Sequence, residues 1–145
     1  FRMSLLHQAS CVAIGGRGVL IEGAPGSGKS SLALALIDRG AVLVGDDGIS
    51  LAADGARLLA SPAPTIAGLI EVRNVGLLTY PTADDVPVAL VLRLDPDAPR
   101  FIEAAEQTDR AGIALPLIRL WPDSPVLALR AEAALGRWGL ATLAP

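Results

Sequence analysis

Cysteine occurs once in these 145 residues, as Cys11, so no disulfide can form within the chain and no cysteine pair offers metal-ligand spacing. A reducing cytoplasm is the expectation, with Cys11 serving as core. Clusters of Lys and Arg are missing as well. Twelve basic residues against 15 acidic ones leave a net charge of −3, without the electrostatic footprint of a nucleic-acid binder. No apolar run approaches the roughly 18 residues needed to cross a bilayer, so no membrane span is expected. The opening Phe1-Arg2-Met3-Ser4 lacks the pattern of a secretory signal. Internal repeats, low-complexity tracts and long linkers are also absent, and the expectation is one domain over residues 1–145.

Hydrophobic residues make up 52% of the chain and charged residues 19%, with 15 Gly and 11 Pro as punctuation, the balance of a compact soluble α/β protein rather than a disordered one. Leu5 to Ile14 and Val19-Leu20-Ile21 read as two strands joined by the turn Gly15-Gly16-Arg17-Gly18. From Ser30 the spacing of Leu32, Leu34, Leu36 and Ile37 among alanines predicts a helix that stops before Gly40. Ala41 to Val44 reads as a short buried strand, and Ile49 to Ala53 as a partner for Arg57 to Ala60 across an Asp54-Gly55 turn. Leu69 to Tyr80 reads as extended or irregular. Val86 to Leu94 and Ile113 to Leu120 read as strands, Phe101 to Arg110 as helical by composition. Ser124 as N-cap and Pro125 at the first helical position predict a last helix through Trp138.

Between the second strand and the first helix lies Gly23-Ala24-Pro25-Gly26-Ser27-Gly28-Lys29-Ser30, which fits G-x-x-x-x-G-K-[ST] at every specified position. The glycines let the backbone bend until successive N–H groups face one phosphate, and the helix N-terminus adds its positive end. Pro25 has no N–H, so its neighbours must supply the donors. Lys29, the sole lysine, can reach the β- and γ-phosphates, and the Ser30 hydroxyl can bind the Mg²⁺ that bridges them.

Such a site needs an acid near the γ-phosphate, typically just beyond a strand. Asp46-Asp47 and Asp95 both qualify by position. The pair is the better candidate, because adjacent carboxylates repel unless a cation or a proton lies between them. Asp95-Pro96-Asp97 reads as a turn cap.

These residues carry a resemblance. The glycine loop, the short helix and then Arg39-Gly40-Ala41-Val42-Leu43-Val44-Gly45-Asp46-Asp47 resemble the catalytic domain of HPr kinase/phosphorylase. Upstream, Leu6-His7 is similar to that family's histidine ahead of the loop. Downstream, Leu69-Ile70-Glu71-Val72-Arg73-Asn74-Val75-Gly76-Leu77-Leu78 is similar to its Leu-Glu-Ile-Arg-Gly-Leu-Gly-Ile-Ile signature. The resemblance implies a P-loop kinase domain with a mixed central β-sheet flanked by helices, of the PEP carboxykinase-like kind. It implies ATP-dependent phosphorylation of a serine on HPr, a phosphocarrier of the phosphotransferase system, and the reverse dephosphorylation by inorganic phosphate with pyrophosphate as product. Asp46 would be the acid/base, Asp47 would orient or bind metal, Glu71 would help hold Mg²⁺, Arg73 would steady the transferring phosphate, and His7 would join the catalytic set. The loop from Gly23 to Ser30, with Ser31 beyond it, would hold ATP. The family's hexameric assembly adds the expectation of a homo-oligomer, a hexamer.

The chain also departs from the pattern. Ser31 stands where the family often has Glu, and Asn74 replaces a glycine, a mild change because Asn tolerates positive φ. The basic region that contacts HPr is hard to align, with Arg119 as its one candidate. Two rival readings remain open from the residues: a nucleotide-sensing module without transfer chemistry, and another small kinase or GTPase, although no N-K-x-D-like guanine-reading motif is present.

Overall fold

A computed structural model describes residues 3–141; Phe1, Arg2 and residues 142–145 lie outside the described residues. Strands β1 (Ser4–His7), β2 (Ser10–Ile14), β3 (Arg17–Gly23), β4 (Val42–Gly45), β5 (Ile49–Asp54), β6 (Arg57–Pro62), β9 (Val86–Leu94), β10 (Glu106–Arg110) and β11 (Ile113–Leu120) join in one mixed sheet. Strands β7 (Leu69–Val72) and β8 (Gly76–Thr79) form a separate hairpin, and the helices are α1 (Lys29–Asp38) and α2 (Leu127–Trp138). The fold is α/β.

Strand β9 organises the sheet. One edge runs parallel to β3, from Gly18↔Val88 to Gly23↔Leu94. The other edge is shared: its start pairs antiparallel with β6 at Val86 and Pro87, and its end pairs parallel with β11 from Val91 to Leu94. Its residues are almost all buried, as expected of a strand covered on both faces. On one face, Ile21, Leu90 and Leu92 pack with Leu32 and Leu36 of α1 and Ala131 and Leu135 of α2. On the other, Leu20 and Val91 pack with Cys11, Ile49, Leu51, Leu115 and Leu117.

Several elements follow their local chemistry. Gly15 and Gly16, both at positive φ, make the two-residue turn between β2 and β3, with Ile14 paired to Arg17. Helix α1 ends in a Schellman motif: the Gly40 amide donates to the Ile37 carbonyl, the Ala41 amide to the Leu36 carbonyl, and Gly40 adopts φ +108. The β5–β6 hairpin forms as expected, its connecting residues being Gly55-Ala56.

Three readings need correction. Leu5–Ile14 is not one strand: the chain breaks at Gln8-Ala9, so that β1 leaves to pair with β5 while β2 pairs with β3 and β4. Residues 101–110 hold no helix. Glu106–Arg110 is a strand, because pairing with β11 satisfies its backbone and places Arg110 against a buried carboxylate, and these tertiary contacts outweigh weak helix propensity. Ser124 and Pro125 lie ahead of α2, whose N-cap is Val126. The Ser124 hydroxyl accepts from the Val126 amide and its carbonyl from the Leu127 amide, so this pair builds the turn that leads into the helix.

Candidate functional site

The glycine loop leaves β3 at Gly23 and enters α1 at Lys29. Gly26 and Gly28 adopt φ +78 and +100, conformations that favour glycine. Gly23 is held by space: a Cβ there would lie 2.6 Å from Ser27 Oγ and 3.2 Å from Leu94 Cβ. Ser27 Oγ is buried and has no hydrogen-bond partner among the described residues. Helix α1 has neither a side-chain cap nor an acidic residue in its first turn, so its leading N–H groups face the loop with no competing carboxylate from the helix. Lys29 Nζ donates to the carbonyls of Gly23 (3.0 Å) and Ala24 (3.1 Å).

Beside the loop is an open cavity of about 460 Å³. Lys29, Ser30, Asp46, Asp47, Glu71 and Arg73 all line it, so residues spread over 45 positions of sequence converge. The two aspartates differ. Asp46 is buried, and its Oδ1 accepts hydrogen bonds from Ser30 Oγ (2.7 Å) and Ser10 Oγ (2.9 Å). Asp47 is exposed, adopts φ +58 and makes no hydrogen bond or ion pair among the described residues. Ser10 was not anticipated from sequence. Its only signal is a small polar residue opening a buried strand, and its role depends on the antiparallel pairing that sets β2 beside β4 and the Asp46 turn.

Glu71 lies on β7 and Arg73 in the turn that follows, where Asn74 has φ +70, the conformation that makes Asn an acceptable replacement for glycine. Both side chains are exposed to the cavity and form no ion pair with each other. Ser31 also lines the cavity.

His7 is not among the residues that line it. Its Nε2 lies 2.8 Å from Glu22 Oε2, inside a cluster that includes Arg110, whose Nε and Nη2 donate to Glu22 at 2.9 and 2.6 Å, and Arg93 at 3.5 Å. Burial alone would raise the Glu22 pKa; the hydrogen bonds from His7 and Arg110 and their charges overcome this and bring it from the ordinary 4.5 down to about 2. Asp95 does cap a turn, accepting from the Asp97 amide at 2.8 Å, and it also receives Arg119 at 3.2 Å. Arg119 is further bound to Glu106, so two carboxylates engage its charge. Cys11 is fully buried, and burial pushes its thiol up to about 12, which fits a core role.

Known proteins are similar to this chain in sequence and in fold. HPr kinase/phosphorylase of Streptococcus pneumoniae strain Hungary19A-6 is 35% identical over 118 residues, covering 72% of this chain, and the same protein of strain D39 matches equally. The chain spans 38% of the length of those relatives. The structure of the HPr(Ser) kinase/phosphatase from Coxiella burnetii superposes with a TM-score of 0.80 at 29% identity, over 91% of this chain and 94% of that one. The sequence pattern of the HPr serine kinase C-terminal domain matches residues 2–83, which carry the glycine loop, both aspartates and the β7–β8 hairpin. By that match, over more than half its length, the chain belongs to the HPr serine kinase C-terminal domain family.

Proposed function

We propose that this chain is an ATP-dependent kinase of a serine on an HPr-type phosphocarrier protein and catalyses the reverse, phosphate-dependent dephosphorylation. The observation that carries the reading is the 2.7 Å bond from Ser30 Oγ to Asp46 in a cavity that also holds Lys29 and an unengaged carboxylate, Asp47. A nucleotide sensor needs the loop and the lysine; it has no use for a free acid beside them.

In the loop, backbone N–H groups and Lys29 bind the β- and γ-phosphates of ATP. Ser30 Oγ and the Asp46 carboxylate, 2.7 Å apart, would hold Mg²⁺, with Glu71 as a further oxygen donor on the cavity wall. Mg²⁺ held there would supply positive charge to offset that of the phosphates. Arg73 steadies negative charge on the transferring group. The substrate serine Oγ attacks the γ-phosphorus, the bond to the β–γ bridging oxygen breaks, ADP leaves with that electron pair, and a carboxylate takes the serine proton. In reverse, phosphate attacks phosphoserine, the protonated acid returns its proton to the departing serine oxygen, and pyrophosphate forms.

The geometry supports the opposite assignment of the two aspartates from the one implied by resemblance. Asp46 Oδ1 is committed to two hydroxyls, which suits holding the metal. Asp47 is unengaged and exposed, which suits proton transfer. The acid/base is therefore Asp47. Asp47→Asn lowers both reactions by about 10²–10⁴-fold with nucleotide binding retained, whereas Asp46→Asn weakens Mg²⁺-dependent nucleotide binding. Phosphoserine-HPr formation from ATP and pyrophosphate release from phosphoserine-HPr, measured with nucleotide titrations for both variants, test this. Near-normal rates in Asp47→Asn sink the assignment, and a wild-type chain inert on every phosphocarrier favours the sensor. The reading further includes a cytoplasmic setting, consistent with one buried thiol, and self-association.

A further inference from the structure

The glycine loop borders two recesses. One is the acid-lined cavity; the other, of about 380 Å³, lies between the first turns of α1 and the segment 122–128 that leads from β11 into α2. Gly26, Gly28, Ser31 and Arg73 line both, so the two are continuous across the loop. Their chemistry differs. Lys29, Asp46, Asp47 and Glu71 belong to the first alone, while the second is walled by Pro122, Pro125, Leu32 and Leu127 around a single carboxylate, Asp123.

We propose that the second recess seats the nucleoside of the phosphate donor, with the proline and leucine walls against the base and Asp123 accepting hydrogen bonds from the nucleoside's O–H or N–H groups. The inference rests on the phosphate-loop reading above. Transfer requires the terminal phosphate beside Lys29 and Asp47, so the rest of the chain of phosphates runs back over Gly26 and Gly28. The α-phosphate then lies toward Ser31, on the first turn of α1, and Ser31 is where the second recess opens. The sheet points the same way: β3, β9 and β11 run parallel, and the loop and segment 122–128 both follow carboxyl ends of those strands, where open α/β sheets bind ligands. The recess is of ligand-pocket size, with Leu32, Leu127 and Ala128 as an apolar wall and Ser31, Asp123 and Ser124 as polar groups beside it, a mixture that suits a nucleoside. Asp123 is exposed and makes no hydrogen bond or ion pair among the described residues, so its oxygens are available.

The test compares ATP with inorganic tripolyphosphate, each with Mg²⁺, by calorimetry on the wild-type chain, Asp123→Ala and Ala128→Phe, the last of which fills the recess from α2. Each variant is expected to bind ATP about tenfold more weakly, the scale of one hydrogen bond to a charged group, with tripolyphosphate affinity unchanged. Unchanged tripolyphosphate binding also certifies the fold of each variant. If ATP affinity is unaltered in Asp123→Ala, or tripolyphosphate weakens in step with ATP, the nucleoside subsite is overturned while the phosphate loop stands. A wild-type chain that binds neither ligand overturns the loop reading and this inference together.

Discussion

Lys29 has no substitute. It is the only lysine in the chain, and the other cation on the cavity wall, Arg73, sits in the turn that follows β7 rather than on the loop. Its Nζ already donates to Gly23 and Ala24, so it is positioned at the loop by contacts that the phosphates of a ligand would replace. Lys29→Ala is expected to weaken ATP and pyrophosphate binding by about 10- to 100-fold, the worth of a charge-assisted hydrogen bond. Calorimetry that finds unchanged affinity would remove the loop from the mechanism. Single residues were legible where the chemistry is contiguous: eight consecutive positions spell the cradle, and two adjacent acids mark its partner. Ser10 and the different surroundings of Asp46 and Asp47 were not, because they follow from the β2–β4 pairing that brings Ser10, and the start of α1 that brings Ser30, to Asp46.

Elements were legible where one strand or helix is dictated by its own pattern. β9 and β11 have the boundaries their apolar runs suggest, since β9 is buried along most of its length and β11 through its four central residues. β10 was not legible, because its reason for being a strand lies 88 residues away: Arg110 reaches from β10 to Glu22 on β3. His7 of β1 and Arg93 of β9 close on the same carboxylate, so four strands are tied at the root of the glycine loop. That tie is pH-dependent. A carboxyl held at about 2 against an ordinary 4.5 stabilises the fold above 4.5, and the contribution is lost as pH falls through about 2. Its size is at most about 3 kcal/mol. Glu22→Gln should therefore be less stable than the wild type at neutral pH, with the gap closing across that acid window in urea denaturation. A gap that stays constant to the acid end would show that the ionised carboxylate contributes nothing.

Over the whole molecule, apolar side chains remain on the outside. Leu6 on β1 is 79% exposed, and Val75 and Leu77 on the β7–β8 hairpin are 66% and 68% exposed. The hairpin residue Leu77 also lines the acid cavity, so whatever covers the hairpin comes close to the chemistry. Self-association, to a hexamer by resemblance, is the expected outcome. Light scattering at tens of micromolar checks it, and a clean monomer would count against it. β9 adds a constraint of timing. The glycine loop hangs from β3, whose neighbour on one side is β9, some seventy residues later in the chain. Until the ribosome has released residues 86–94, β3 has an open edge and the cradle has no wall at Leu94. The glycine loop is thus made well before the strand that walls it, and long-range parallel pairing, slow to close, leaves its edge exposed meanwhile.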